Sequence, residues 1–166
     1  MSVQFSADAE RQIDELVGRY PERLGALIPV LFLAQQEFGY LTREVFELVA
    51  DRLDVPTTQV LNTATFYTML YKKPVGRHHV QICRNVSCFL RGADALTACV
   101  KERLGLSNGD VTPDEQFSLE LVECLAACGG APVVRINETY HENVTKAAFE
   151  ALLDGLSSVT ESEASA

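Results

Sequence analysis

The spacing of apolar residues changes character once along the chain. Over residues 1–75 it follows a helical period. Ile13, Leu16 and Val17 recur at helical spacing within residues 7–18, and Leu24, Leu27, Ile28, Leu31 and Phe38 mark one side of residues 24–38, before Gly39. Thr42 predicts the N-cap of a third helix that carries Val45, Phe46, Leu48 and Val49 and closes near Leu53. Asp54-Val55-Pro56 breaks the chain and opens a fourth segment reaching Leu70. The pattern predicts a small helical bundle of about four helices with short connections. Pro29 is its weak point, because a proline inside a helix removes a backbone donor and kinks it.

From residue 76 the period shortens. Residues 78–82 read as a strand, and residues 92–104 as a helix with Leu96, Cys99, Val100 and Leu104 on one face. Residues 107–113 are loop, and residues 117–122 alternate apolar and polar as a strand. Residues 132–136 and 139–142 predict a hairpin turning at Asn137-Glu138, and Thr145 caps a last helix over 146–153. The order β-α-β-β-α predicts an α+β fold in which sheet and helices share one core. The expected divisions are a helical domain over 1–75, a second domain over 76–156, and a disordered acidic tail over 157–166, rich in Ser and Glu.

Composition narrows the class. The chain has 166 residues, 47% apolar and 22% charged, which suits a packed core rather than a disordered or membrane-embedded chain. A net charge of −9 argues against nucleic acid as a partner, because phosphate contacts need clustered Lys and Arg. The N-terminal residues show neither the basic-then-apolar pattern of a signal peptide nor an Arg-rich transit pattern. The longest apolar run, residues 26–34, contains Pro29 and is too short to cross a bilayer core of roughly 30 Å. A soluble, intracellular protein with reduced thiols is expected.

Those thiols carry the candidate chemistry. All five cysteines fall within residues 83–128, and four form two pairs, Cys83-x4-Cys88 and Cys124-x3-Cys128, each just past a predicted strand. Four converging thiolates suit a soft metal or an iron–sulfur centre. Spacing alone also admits a structural zinc site or unrelated buried thiols. Neither pair is the Cys-x-x-Cys of thiol oxidoreductases, and a Rieske centre would need two histidine ligands beside the cysteines. His78, His79 and His141 are read instead as strand-edge residues, and Cys99 as a small buried hydrophobe. Ala126, Ala127, Gly129, Gly130 and Ala131 are small enough for backbone N–H groups to approach the sulfurs. No dinucleotide fingerprint, P-loop or nucleophile elbow occurs.

Charge sets a further expectation. The part of the chain after residue 75 is net −6, and reducing an iron–sulfur centre there adds negative charge. Arg84 and Arg91 flank the first pair, and one of them is expected to sit over the centre and raise its potential.

Several motifs in order resemble one family. Cys83-Arg-Asn-Val-Ser-Cys88-Phe-Leu-Arg-Gly92 and Val122-Glu-Cys124-Leu-Ala-Ala-Cys128-Gly-Gly-Ala-Pro132 resemble the ligand pattern of the small E-type [2Fe–2S] subunit of bacterial NADH:quinone oxidoreductase, whose mitochondrial counterpart belongs to complex I. Upstream, Gln35-Gln-Glu-Phe-Gly-Tyr-Leu41, Ala64-Thr-Phe-Tyr-Thr68 and Lys73-Pro-Val-Gly76 are similar to the same family, so the likeness covers residues 10–153. The resemblance implies a helical bundle followed by a thioredoxin-like domain. It also implies one [2Fe–2S] cluster on Cys83, Cys88, Cys124 and Cys128. FMN and NADH would then bind to an F-type partner subunit, with further peripheral-arm subunits alongside.

The implied role is one-electron exchange with that flavin, at the cytoplasmic face of a bacterial inner membrane and without direct insertion. The same module occurs in NAD-reducing hydrogenases, electron-bifurcating hydrogenases and NAD-dependent formate dehydrogenases. A zinc-stabilised thioredoxin-like interaction module is the alternative of a different class. Gly129-Gly130 departs from the larger polar residue often found after the last ligand. Apolar Phe66, Tyr67, Met69, Leu70 and Tyr71 make the end of the bundle the expected docking region, or else core of the seam between domains.

Overall fold

The helical period of the first part is realised in four α-helices: α1 (Ala7–Val17), α2 (Leu27–Phe38), α3 (Arg43–Leu53) and α4 (Thr57–Phe66). They come from a computed structural model that describes residues 3–163. The Ser6 hydroxyl caps α1 by accepting the Ala9 N–H at 3.2 Å, and Asp8 and Glu10 face the positive end of that helix. Thr42 caps α3 by accepting the Val45 N–H.

Two differences from the sequence reading have physical causes. The single helix expected over residues 24–38 is split into a 3-10 turn, Arg23–Ala26, and α2. Pro29 therefore lies in the first turn of α2, where a backbone N–H has no intrahelical partner to lose, and it produces no mid-helix break. The fourth helix stops at Phe66 rather than near Leu70. Continuing it would put Leu70 on the face of Phe66, which is 79% exposed. The extended backbone at Tyr67 instead lets Leu70 drop into the core beside Val60, Val49 and Leu31.

The chain divides into two compact units, Met1–Pro74 and Val75–Ala166. The second is built on β1 (His78–Cys83), α5 (Val86–Leu90), α6 (Ala93–Leu104), β2 (Phe117–Val122), β3 (Val134–Ile136), β4 (Thr139–His141) and α7 (Lys146–Glu163). The sheet order is β2-β1-β3-β4, with β1 and β2 parallel and β3 antiparallel to both β1 and β4. Val80, Ile82, Leu119, Val134 and Ile136 pack with Leu96, Cys99 and Val100 of α6 and with Phe149 and Leu153 of α7. The last helix runs on through residues 157–163, part of the stretch expected as a tail. Ser157 Oγ donates to Leu153 O at 3.0 Å, within the helix. Residues 164–166 of that expected tail lie outside the described residues.

The reading of His78 and His79 as edge residues is also corrected, because β1 lies between β2 and β3. His79 is buried, with Nδ1 at 2.7 Å from Ser118 Oγ and Nε2 at 3.2 Å from Glu120 Oε2. Ser118 Oγ already accepts the Gly76 N–H at 2.9 Å. The Glu120 carboxylate can only accept, so His79 donates its Nε2–H to it and Nδ1 accepts the Ser118 hydroxyl proton. No helix among the described residues is long and apolar enough to cross a membrane.

Candidate metal centre

Strand register places the cysteines. Cys83 pairs with Val122 across the parallel β1–β2 ladder, so Cys83 and Cys124 leave the sheet at the same end. Ile82 pairs with Val134 on antiparallel β3, which returns the 128–133 segment to that end as well. Cys88 stands on α5, a single helical turn that the periodicity of the sequence does not mark. Asn85 caps it, accepting the Val86 N–H at 2.7 Å, and this Asn directly after a strand is the available signal.

All five cysteines are free. Cys83 and Cys88 are buried, whereas Cys124 and Cys128 are exposed. Burial pushes the Cys88 thiol above its ordinary range, and its Cys83 and Cys128 neighbours push the same way, while a backbone hydrogen bond at Val133 opposes them. Cys83 and Cys88 adjoin one another with Cys128 near enough for its charge to be felt, and Cys124 and Cys128 both open to water. Among the described residues, no group of three or more His, Cys, Asp or Glu side chains is arranged to hold a metal ion.

The donor set nevertheless fits an iron–sulfur group, which takes soft thiolates and gains from N–H contacts to them. Ala126 supplies one such contact. Its left-handed backbone, φ 58°, aims its N–H at Cys124 Sγ, 3.2 Å away. Not every small residue plays the part expected of it. The Gly130 N–H bonds Ala127 O at 3.0 Å, and a Cβ on Gly130 would meet the Glu142 carboxyl at 2.0 Å. Gly130 is therefore small because the Glu142 side chain lies against it.

Cys99 is buried in the core of the second unit, 4.0 Å from Glu150 Oε1. Desolvation and then the Glu150 charge push its thiol up, so it is an unreactive packing residue.

The two arginines separate. Arg84 pairs with Glu123, Nε donating at 2.9 Å, and this partner raises its pKa. Arg91 shares a hollow with Ser87, Leu90, Cys128, Gly129 and Ala131 and has no ion pair among the described residues. Its charge is the one left to offset negative charge at the cysteines. In the cluster-loaded protein, Arg91→Ala is expected to lower the reduction potential by on the order of 30 mV, since the side chain is exposed and screened. The charge-neutral double change Arg84→Ala, Glu123→Ala leaves it near the wild-type value. Spectroelectrochemical titration checks both, and an unchanged potential in Arg91→Ala sinks the assignment.

Comparison with known proteins follows the same lines. The family model for thioredoxin-like [2Fe–2S] ferredoxins matches residues 13–157. The chain is 44% identical over 143 residues to an E-type NADH-quinone oxidoreductase subunit of Rhizobium meliloti (strain 1021), covering 86% of this chain and 85% of that one. It is 37% identical over 143 residues to the NADP-reducing hydrogenase subunit HndA of Solidesulfovibrio fructosivorans, covering 86% and 84%. Among solved structures, the air-oxidised NAD+-reducing [NiFe]-hydrogenase shares the fold at a TM-score of 0.70 and 20% identity, over 80% of this chain. The match spans only 23% of that hydrogenase chain. Four cysteines at one end of a mixed sheet, a family match over most of the chain and relatives of near-equal length agree: the chain belongs to the thioredoxin-like [2Fe–2S] ferredoxin family.

Proposed function

We propose that this chain is the [2Fe–2S] electron-transfer subunit of an NADH:quinone oxidoreductase, working beside a partner subunit that binds FMN and NADH. The observation that carries the reading is the delivery of four free cysteines to one sheet end by two arms, in a family defined by a [2Fe–2S] group. Cys83, Cys88, Cys124 and Cys128 are the proposed ligands. The bound cluster supplies a one-electron donor and acceptor next to the partner's flavin.

The protein's own residues do the rest. Buried Cys83 and Cys88 hold the inner side away from water, which limits stabilisation of added charge by solvent. Exposed Cys124 and Cys128 would leave the outer side accessible to a redox partner. Ala126 N–H supports the Cys124 sulfur, and Arg91 supplies an unpaired positive charge beside Cys128. The chain carries no complete active site of its own and acts as one subunit of the enzyme, placed on the cytoplasmic face of a bacterial membrane through its partners.

A second assembly, an NAD(P)-reducing hydrogenase, is favoured by one observation, the 37% identity to a subunit of that kind. The higher identity to the quinone oxidoreductase subunit puts the respiratory reading first. The test is visible absorbance of the purified protein with iron, acid-labile sulfide and zinc assays. Coloured protein with equimolar iron and sulfide, and an EPR signal on reduction, is expected. Colourless protein holding zinc overturns the reading.

A further inference from the structure

The cysteine arm of residues 128–132 is clasped by a second segment, residues 142–144. The Asn143 N–H donates to Gly130 O at 2.6 Å, and the Val144 N–H donates to Pro132 O at 3.1 Å. Glu142, one residue earlier, lays its side chain across Gly130, where a Cβ would run into both the Glu142 carboxyl and its Cβ. The residue is exposed, and its carboxyl takes no hydrogen bond or ion pair among the described residues. Most unpaired surface carboxylates swing with their rotamers. This one has a seat, because Gly130 has no side chain to displace it.

Gly130 follows Cys128 by two residues, and two residues reach at most about 7 Å. The Glu142 charge therefore stands within about 10 Å of the Cys128 backbone, roughly one Debye length at about 0.1 M salt. We propose that Glu142 is a potential-setting residue of the electron-transfer centre: its carboxylate, seated on Gly130, opposes electron uptake at the cysteines and offsets Arg91. This rests on the electron-transfer reading above and adds the residue that holds the potential down. An electron taken up adds one negative charge, and a fixed carboxylate nearby repels it. Seen through partial screening, one such charge moves the reduction equilibrium about threefold.

The other charges near the two arms leave room for this role. Arg84 and Glu123 cancel as a pair. Arg91 shares a hollow with Cys128 and Gly129 at the exposed apolar turn of α5, which carries Val86, Phe89 and Leu90. Arg91 and Glu142 are thus unpaired charges of opposite sign beside one arm. A cation site at Glu142 is the poorer reading, because no group of three His, Cys, Asp or Glu side chains gathers there among the described residues. Packing alone is poorer too, since an uncharged side chain of the same length would fill the space over Gly130 equally well.

The experiment uses the full-length, cluster-loaded chain. Reduction potentials are measured for the wild type, Glu142→Gln, Glu142→Asp and Glu115→Gln, with each variant's visible spectrum and dithionite-reduced EPR. The titrations are run at low salt and at about 1 M salt, where the Debye length falls to about 3 Å. Glu142→Gln keeps the side-chain length and removes the charge. Its reduced form is expected to gain about threefold at low salt, or about 28 mV at roughly 59 mV per tenfold for one electron. The gain shrinks at high salt, and the spectrum and EPR line shape stay as in the wild type. Glu142→Asp keeps the charge and stays near the wild-type potential. Glu115→Gln removes an equal charge ahead of β2, at the sheet end away from the cysteines, and leaves the potential unchanged.

A wild-type potential in Glu142→Gln overturns the proposal while leaving the electron-transfer reading intact. A shift of equal size at both salt concentrations, or one that comes with a changed EPR line shape, assigns Glu142 to packing and overturns it as well. Glu142→Asp shifting as far as Glu142→Gln would show that charge is not what counts. An equal shift in Glu115→Gln makes the effect one of net charge and removes the special place of Glu142. Failure of the electron-transfer reading looks different. Colourless wild-type protein with no reducible group overturns that reading, and this inference with it.

Discussion

Replacing Cys88 by Ala is expected to abolish the visible absorbance of the protein and its EPR signal on reduction, while Cys99→Ala leaves both in place. The contrast is sharp because both thiols are buried, yet only Cys88 has other cysteines as neighbours. A buried metal group contributes folding energy to the unit that holds it, so Cys88→Ala also lowers the stability of residues 75–166. The bundle of the first unit has its own core of Ile13, Val30, Leu31, Val45, Val49 and Leu53 and keeps its helical circular dichroism. Thermal unfolding of the variant therefore separates into two transitions rather than one. A Cys88→Ala protein with wild-type absorbance removes Cys88 from the ligand set, and equal losses in Cys88→Ala and Cys99→Ala would point to packing.

Gly76→Ala is expected to destabilise the second unit by about 2–3 kcal/mol or more, which lowers its melting temperature by about 10–20 °C. A Cβ at this position would lie 2.4 Å from the Phe117 backbone carbon and 2.7 Å from the Ser118 nitrogen. No flexible side chain is there to move aside, so either β2 shifts or the 75–77 segment lifts away. Lifting costs the Gly76 N–H its bond to Ser118 Oγ, and Ser118 in turn orients His79 towards Glu120. Bleaching of the cluster absorbance on heating follows the second unit and checks the outcome. Wild-type bleaching in Gly76→Ala would show that the chain relaxes around the methyl group.

Much of this architecture is legible in the residues. Periodicity, Thr42 and Asp54-Val55-Pro56 mark α1, α3 and the start of α4 closely, because caps and breakers act within a few residues. The strands at 78–83 and 117–122 and the hairpin at Asn137 follow from alternation and turn chemistry. What escaped was decided by distant neighbours. The end of α4 depends on which side chain the core takes, Phe66 or Leu70. The length of α7 depends on a helix continuing through a Ser- and Glu-rich stretch that looks disordered in composition. Burial of His79 depends on strand order, which no local pattern encodes.

The candidate centre divides in the same way. By itself the sequence determined the chemistry, four thiols in two pairs with a fifth on an apolar helix face, because residue type and spacing are local properties. Only the tertiary structure decided the arrangement. Parallel pairing of β1 with β2 brings two arms, separated by about 35 residues in the chain, to one sheet end. It also decided that Arg84 is neutralised by Glu123 while Arg91 is not, and that the exposed apolar surface lies beside the cysteines on α5. Charge pairing and exposure are set by what folds against a residue, and in this chain those neighbours come from β2, the 123–131 loop and α5.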